Sequence, residues 1–215
     1  MTTQQNPHAA TPTLTAGVPI EQAKAVVVMI HGRGGSADDI LSLLDAFDVP
    51  GLAGVAPQAA GHTWYPHSFL APMDANQPYL DSALQRVGGV VDGLLARGIA
   101  SEKIALLGFS QGACLMSEFV ARNPRRYGAV LALTGGVIGP AGTPRNYTGD
   151  LAGTPIFLGC GDPDAHIPWP RVDETAAVFE KLGGRVDKRR YPGRPHTISQ
   201  DEIDACRALL LTLTQ

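Results

Sequence analysis

Cysteine is scarce in this chain: Cys114, Cys160 and Cys206 are three in 215 residues, widely spaced and odd in number. That argues against a disulfide framework or a cysteine metal knuckle and leaves buried reduced thiols as the expectation. Long apolar runs are lacking too. The longest, residues 25–30, is far below the ~20 residues that a membrane-spanning helix needs. Neither charge sign is in excess, with 17 basic and 20 acidic residues and a net charge of −3. No basic face is therefore offered to nucleic acid or to anionic lipid. The first sixteen residues are rich in Thr, Gln and Pro and lack the basic-then-apolar order of a secretory signal, so a cytoplasmic location is the expectation. Charged residues make up only 17% against 44% hydrophobic, a balance that suits a packed globular fold and not a disordered chain. The length allows one domain with a substantial core. The expected organisation is an N-terminal tail with a candidate edge strand over residues 1–23, then a single domain over residues 24–215.

What the chain does have is alternation. Continuous β-branched or apolar stretches predict strands over residues 25–30, 51–56, 103–107, 129–133, 155–160 and 186–191, and full burial on both faces explains why they do not alternate with polar residues. Between them, apolar residues at helical spacing predict helices over 37–47, 80–95, 113–120, 172–182 and 198–213. Ser36 is placed to cap the first of these, with Asp38 and Asp39 in its first turn, and Gly98 to end the second. Residues 135–153 carry only turn chemistry. Strands alternating with long helices imply right-handed crossovers and a mostly parallel sheet with helices on both faces. In such sheets ligands bind beyond the carboxyl ends of the strands.

Gly108-Phe109-Ser110-Gln111-Gly112 stands at one such end. A serine between glycines after a buried strand can occupy a sharp strand-to-helix turn, its hydroxyl projecting outward and the following backbone N–H aimed at whatever it attacks. Such a serine needs a base to take its proton and an acid to hold that base in one tautomer. Both types follow later strands. His196 lies after the strand ending near residue 191, and Asp162 and Asp164 lie after the strand ending near residue 160. Asp162 precedes Pro163 and is biased to extended backbone, while Asp164 lies farther out; the residues alone leave the pair open. The oxyanion donors expected are the main-chain N–H of Gln111 and one from the loop His31-Gly32-Arg33-Gly34-Gly35, with Arg33 the choice there. The Arg33 side chain is expected to be solvated or to steer anions. Of the remaining histidines, His31 is expected to brace its loop, His8 to lie in the tail, His62 and His67 on a rim or surface, and His166 at the pocket edge. None has paired metal-ligand spacing, and no cofactor is expected.

Together these residues resemble the phospholipase/carboxylesterase branch of the α/β-hydrolases, which includes the acyl-protein thioesterases. The resemblance runs from Lys24 to the C-terminus. Its motifs are HGRGG at 31–35, APQ at 56–58, TWY at 63–65, GFSQGA at 108–113, LTGG at 133–136, GDPDAHIP at 161–168 and YPGRPHTI at 191–198. In that family the acid is the aspartate four residues before the proline of a D-x-x-[IV]-P element, which implies Asp164. The resemblance likewise implies Ser110 and His196 as the rest of a catalytic triad and main-chain donors at Arg33 and Gln111. Pro195 stands where the family commonly has glycine. The long apolar loop that thioesterases use for fatty chains has no counterpart, so a small open pocket lined by Trp64, Tyr65, Phe69, Ile167 and Trp169 is expected. The expected function is a cofactor-free serine carboxylesterase acting on small esters, a homodimer being compatible with it. The alternatives are a thioesterase or lysophospholipase for longer acyl chains, a dienelactone-hydrolase-like activity, and a non-catalytic binding protein on a hydrolase scaffold.

Overall fold

Side-chain alternation along each central strand feeds two separate cores. In β2 (Ala25–Ile30), Val26, Val28 and Ile30 face one of them while Ala25, Val27 and Met29 face the other. β4 (Ile104–Phe109) divides the same way, with Ile104 and Leu106 opposed to Ala105 and Leu107. A strand covered on both sides must be apolar throughout, which is why these segments read as unbroken hydrophobic runs. The computed structural model describes residues 6–215; residues 1–5 of the expected tail lie outside the described residues.

The remaining strands are β1 (Thr13–Gly17), β3 (Leu52–Pro57), β5 (Ala129–Leu133), β6 (Pro155–Asp162) and β7 (Arg185–Pro192). Their order is β1-β3-β2-β4-β5-β6-β7, with β1 antiparallel to β3 and every other pair parallel. This is an α/β-hydrolase-type sheet. β7 is the edge opposite β1, and Arg185, Asp187, Lys188 and Arg190 along it are exposed.

Helices cover both faces: α1 (Ala37–Leu41), α2 (Leu43–Phe47), α3 (Tyr79–Ala96), α4 (Gln111–Arg122), α5 (Trp169–Lys181) and α6 (Gln200–Leu213). Ser36 caps α1 in a reciprocal box with Asp39. The single helix expected over 37–47 is broken at Ser42, whose hydroxyl bonds the Asp39 carbonyl at 2.7 Å. Serine competes with the helix for its own backbone in this way. Gly98 follows α3 at φ 83°, the left-handed conformation of a helix stop. α4 is buried from Gln111 to Ala121. The three thiols are free and buried, and no described helix is long and apolar enough to cross a membrane.

The segment before β1 is no loose tail where it is described. Arg86 of α3 donates to the Thr11 carbonyl at 2.6 Å, and Ser82 meets the His8 N–H at 2.9 Å. His8, expected in the tail, is fully buried.

Candidate active site

The turn after β4 depends on two glycines. A Cβ on Gly108 would lie 2.5 Å from the Gly112 carbonyl oxygen, and one on Gly112 would strike the carbonyl oxygens of Ile30 and His31. With no side chain at either place, α4 packs directly against the ends of β2 and β4. Ser110, between them, is held at φ 55° and ψ −119°, a conformation that costs an L-residue about 1–3 kcal/mol. Its own N–H is tied to the Leu133 carbonyl at 3.0 Å.

That strained backbone aims the hydroxyl at His196. The Ser110 Oγ to His196 Nε2 distance is 2.8 Å, and His196 Nδ1 lies 2.9 and 3.1 Å from the two Asp164 oxygens. For the serine to donate to Nε2, the imidazole proton must sit on Nδ1, facing the carboxylate. The Asp164 side chain has no exposure. Its burial alone would raise the carboxyl pKa, but the main-chain N–H groups of His166 and Ile167, each at 2.8 Å, and the imidazole together hold it below the ordinary value. Asp162 is diverted elsewhere, paired with Arg190 on β7. The two candidate acids are thus separated by what each one touches.

Among the described residues, no protein acceptor takes the main-chain N–H of Arg33 or of Gln111. Both residues line a cavity of about 440 Å³ that opens beside Ser110 and His196. Their side chains do something the sequence did not disclose. The Arg33 guanidinium is not free to steer anions: it grips the carbonyls of Tyr65 (2.9 Å), Pro66 (3.0 Å) and His67 (2.8 Å) and the Thr63 hydroxyl (3.0 Å). The Gln111 carboxamide accepts from Trp64 N–H and donates to the Tyr65 carbonyl, both at 2.9 Å. Loop 59–67 is therefore clamped from both sides by two residues that line the cavity. His31 braces the same region, with Nδ1 at 2.7 Å from the Gly32 carbonyl and Nε2 accepting from Ala59 N–H at 3.1 Å. Burial lowers its pKa, in keeping with a neutral imidazole.

Tyr65, Phe69 and Ile167 line the cavity, joined by Phe109, Cys114 and His166. His166 stands edge-on to His196 with ring centroids 4.8 Å apart. The other two expected wall residues do not belong there. Trp64 is fully buried behind the wall, its indole N–H given to the His31 carbonyl at 2.9 Å. Trp169 opens α5, partly buried against the core and beneath Lys188 and Arg190 at 5.7 and 5.3 Å. An aromatic side chain in a loop packs wherever the surrounding loops leave apolar space, and sequence spacing does not encode that choice. Cys114 is buried, and burial pushes its thiol up to about 12, away from the thiolate form that reacts. No cluster of three or more metal-ligating side chains exists among the described residues.

A family model described as Phospholipase/Carboxylesterase matches residues 15–213. A solved phospholipase/carboxylesterase from Dyadobacter fermentans is 47% identical, with a TM-score of 0.90 over 98% of this chain and 99% of that one. Among curated proteins, a probable carboxylesterase (SOBER1-like) of Arabidopsis thaliana is 24% identical, the match covering 84% of this chain and 76% of the relative. Acyl-protein thioesterase 1 of Kluyveromyces lactis is 27% identical over 85% of this chain and 89% of its own length.

Proposed function

The chain belongs to the phospholipase/carboxylesterase family of ester-hydrolysing enzymes, and from that premise we propose that it is a serine carboxylesterase acting on small carboxylic esters through an acyl-enzyme. The observation that carries the proposal is the continuous relay from Ser110 Oγ through His196 to Asp164 at the mouth of one cavity.

In this reading Ser110 attacks the ester carbonyl as His196 Nε2 takes its proton, and Asp164 stabilises the imidazolium that results. The developing oxyanion is received by the main-chain N–H groups of Arg33 and Gln111, donors each worth about 3 kcal/mol in the transition state. His196 passes its proton to the departing alkoxide, leaving an acyl group on Ser110. A water molecule then attacks the acyl carbonyl as His196 takes its proton, the bond to Ser110 Oγ breaks, and His196 returns the proton to the serine as the acid leaves. Phe69, Phe109, Tyr65 and Ile167 supply the apolar contact for the substrate. The open cavity of about 440 Å³ suits a small substrate, and the reading includes a cytoplasmic site of action. The thioesterase relatives favour one second reading, hydrolysis of longer acyl thioesters.

The deciding assay is hydrolysis of p-nitrophenyl esters from acetate to palmitate, with palmitoyl-CoA as the thioester arm. Activity that peaks at short chains and disappears in Ser110→Ala supports the proposal. A long-chain or thioester peak transfers it to the second reading. Turnover that persists in Ser110→Ala removes the nucleophile assignment.

A further inference from the structure

His8 is a fully buried histidine that belongs to no element and has no place in the mechanism. Both of its ring nitrogens are committed. Nδ1 accepts from the Ala60 N–H at 3.0 Å, and Nε2 faces the Trp64 carbonyl at 2.9 Å. A nitrogen that accepts an N–H bond carries no proton, so the ring is the neutral Nε2–H tautomer and spans the turn from residue 60 to residue 64. It also packs on the Trp64 ring at 5.4 Å and meets Tyr79 of α3 at 6.1 Å. The segment that carries it is moored to α3 through its own backbone: Ser82 accepts the His8 N–H at 2.9 Å, and Arg86 holds Thr11.

The turn that His8 closes is the one that touches both oxyanion donors. Trp64 gives its indole N–H to the His31 carbonyl, two residues before Arg33, and its main-chain N–H to Gln111 Oε1. Arg33 grips the same loop from the other side through the carbonyls of residues 65–67. Loop 59–67 is thus held by Arg33, Gln111 and His31 on the side of the site and by His8 on the other. Arg33 and Gln111 belong to the site itself, and His8 reaches in from before the first strand.

We infer that His8 is a positioning residue: the segment over residues 6–12 is a strap that, through His8 and Trp64, holds the Arg33 and Gln111 N–H groups in register for the oxyanion. The inference rests on the esterase reading for the role of those N–H groups. It makes the stretch ahead of β1 part of the build of the active site. His8 acts on the chemical step and not on substrate capture, since it touches neither the cavity nor Ser110.

The test uses diethyl p-nitrophenyl phosphate, which needs no knowledge of the natural ester. Ser110 Oγ forms a bond to phosphorus, p-nitrophenolate leaves, and the serine proton passes to His196. Its rate constant is measured on the full chain, on His8→Ala, on His8→Gln and on Ser110→Ala, alongside kcat and KM for p-nitrophenyl acetate. In folded His8→Ala, phosphylation and kcat should fall by roughly tenfold with KM unchanged, because a small displacement of aligned groups is costly in rate. His8→Gln, whose carboxamide can accept from Ala60 and donate to Trp64, should recover most of the loss. A purely structural histidine would lower the melting temperature and leave both rates intact, and that result overturns the inference while leaving the esterase reading in place. Should His8→Ala not fold, Trp64→Phe decides: it removes the bond to the His31 carbonyl, and unchanged phosphylation there overturns the inference equally. A wild type as unreactive as Ser110→Ala would remove both readings together.

Discussion

At residue 112 the alternative to glycine is a collision with backbone. A methyl there meets the carbonyl oxygen of His31 at 2.6 Å and runs into that of Ile30, and neither can move without shifting β2. Gly112→Ala is therefore expected to cost roughly 1–3 kcal/mol in stability and to cut kcat by about a hundredfold, since Ser110 and the Gln111 N–H ride on the displaced turn. Urea denaturation and ester hydrolysis on the same preparation check both effects. Residue type and position made Ser110, His196 and the two glycines legible, because a buried strand followed by G-x-S-x-G leaves the chain few ways to turn. Asp164 was less so from its residues alone. What separates it from Asp162 is the Arg190 side chain arriving from β7, a contact between strands whose pairing no local pattern discloses. Trp64 and Trp169 were misplaced for a related reason: one entered the core and the other packed partly buried under the cations of β7, depending on contacts that form only in the folded chain.

Elements set the reach of the histidine. The loop that leaves β7 is fastened to the start of α6 by Arg194, which bonds Ser199 Oγ at 2.8 Å and Glu202 Oε1 at 3.0 Å and lies 4.1 Å over the Tyr191 ring. Glu202 is completely buried and also closes a reciprocal capping box with Ser199. Glu202→Gln leaves the mostly buried Arg194 guanidinium without a counter-charge, which should cost about 3 kcal/mol and loosen the loop that presents His196. Calorimetry would register the stability loss. A fall in kcat larger than the rise in KM would register the loosening. The strands and the long helices could be read from apolar spacing because packing on two faces imposes it. The break at Ser42 could not, since it depends on a hydroxyl choosing a carbonyl over solvent, and apolar spacing continues through it undisturbed.

The whole molecule keeps two imidazoles neutral in its interior, and this gives its stability a dependence on pH. Burial lowers the pKa of both His8 and His31 below the ordinary 6.5, and the Arg86 charge adds to the effect on His8. The unfolded chain therefore binds more protons than the folded one in the interval beneath pH 6.5, and stability must fall as pH descends through it. Above 6.5 the two states hold the same protons on these groups and the dependence vanishes. The midpoint of urea unfolding should be lower at pH 5.5 than at pH 7.5, and His8→Gln should narrow that gap.

The left-handed turn at Ser110 reaches beyond the reaction. A conformation at φ 55° and ψ −119° is one that glycine enters freely and serine does not. Any selection for thermal robustness alone will therefore press toward glycine at position 110, which, with Ser110 as the proposed nucleophile, would give a sturdier and inert protein. On that proposed role, resistance to heat and competence in hydrolysis pull in opposite directions at this one residue, so an evolved or engineered lineage of this enzyme must find its added robustness somewhere else in the chain.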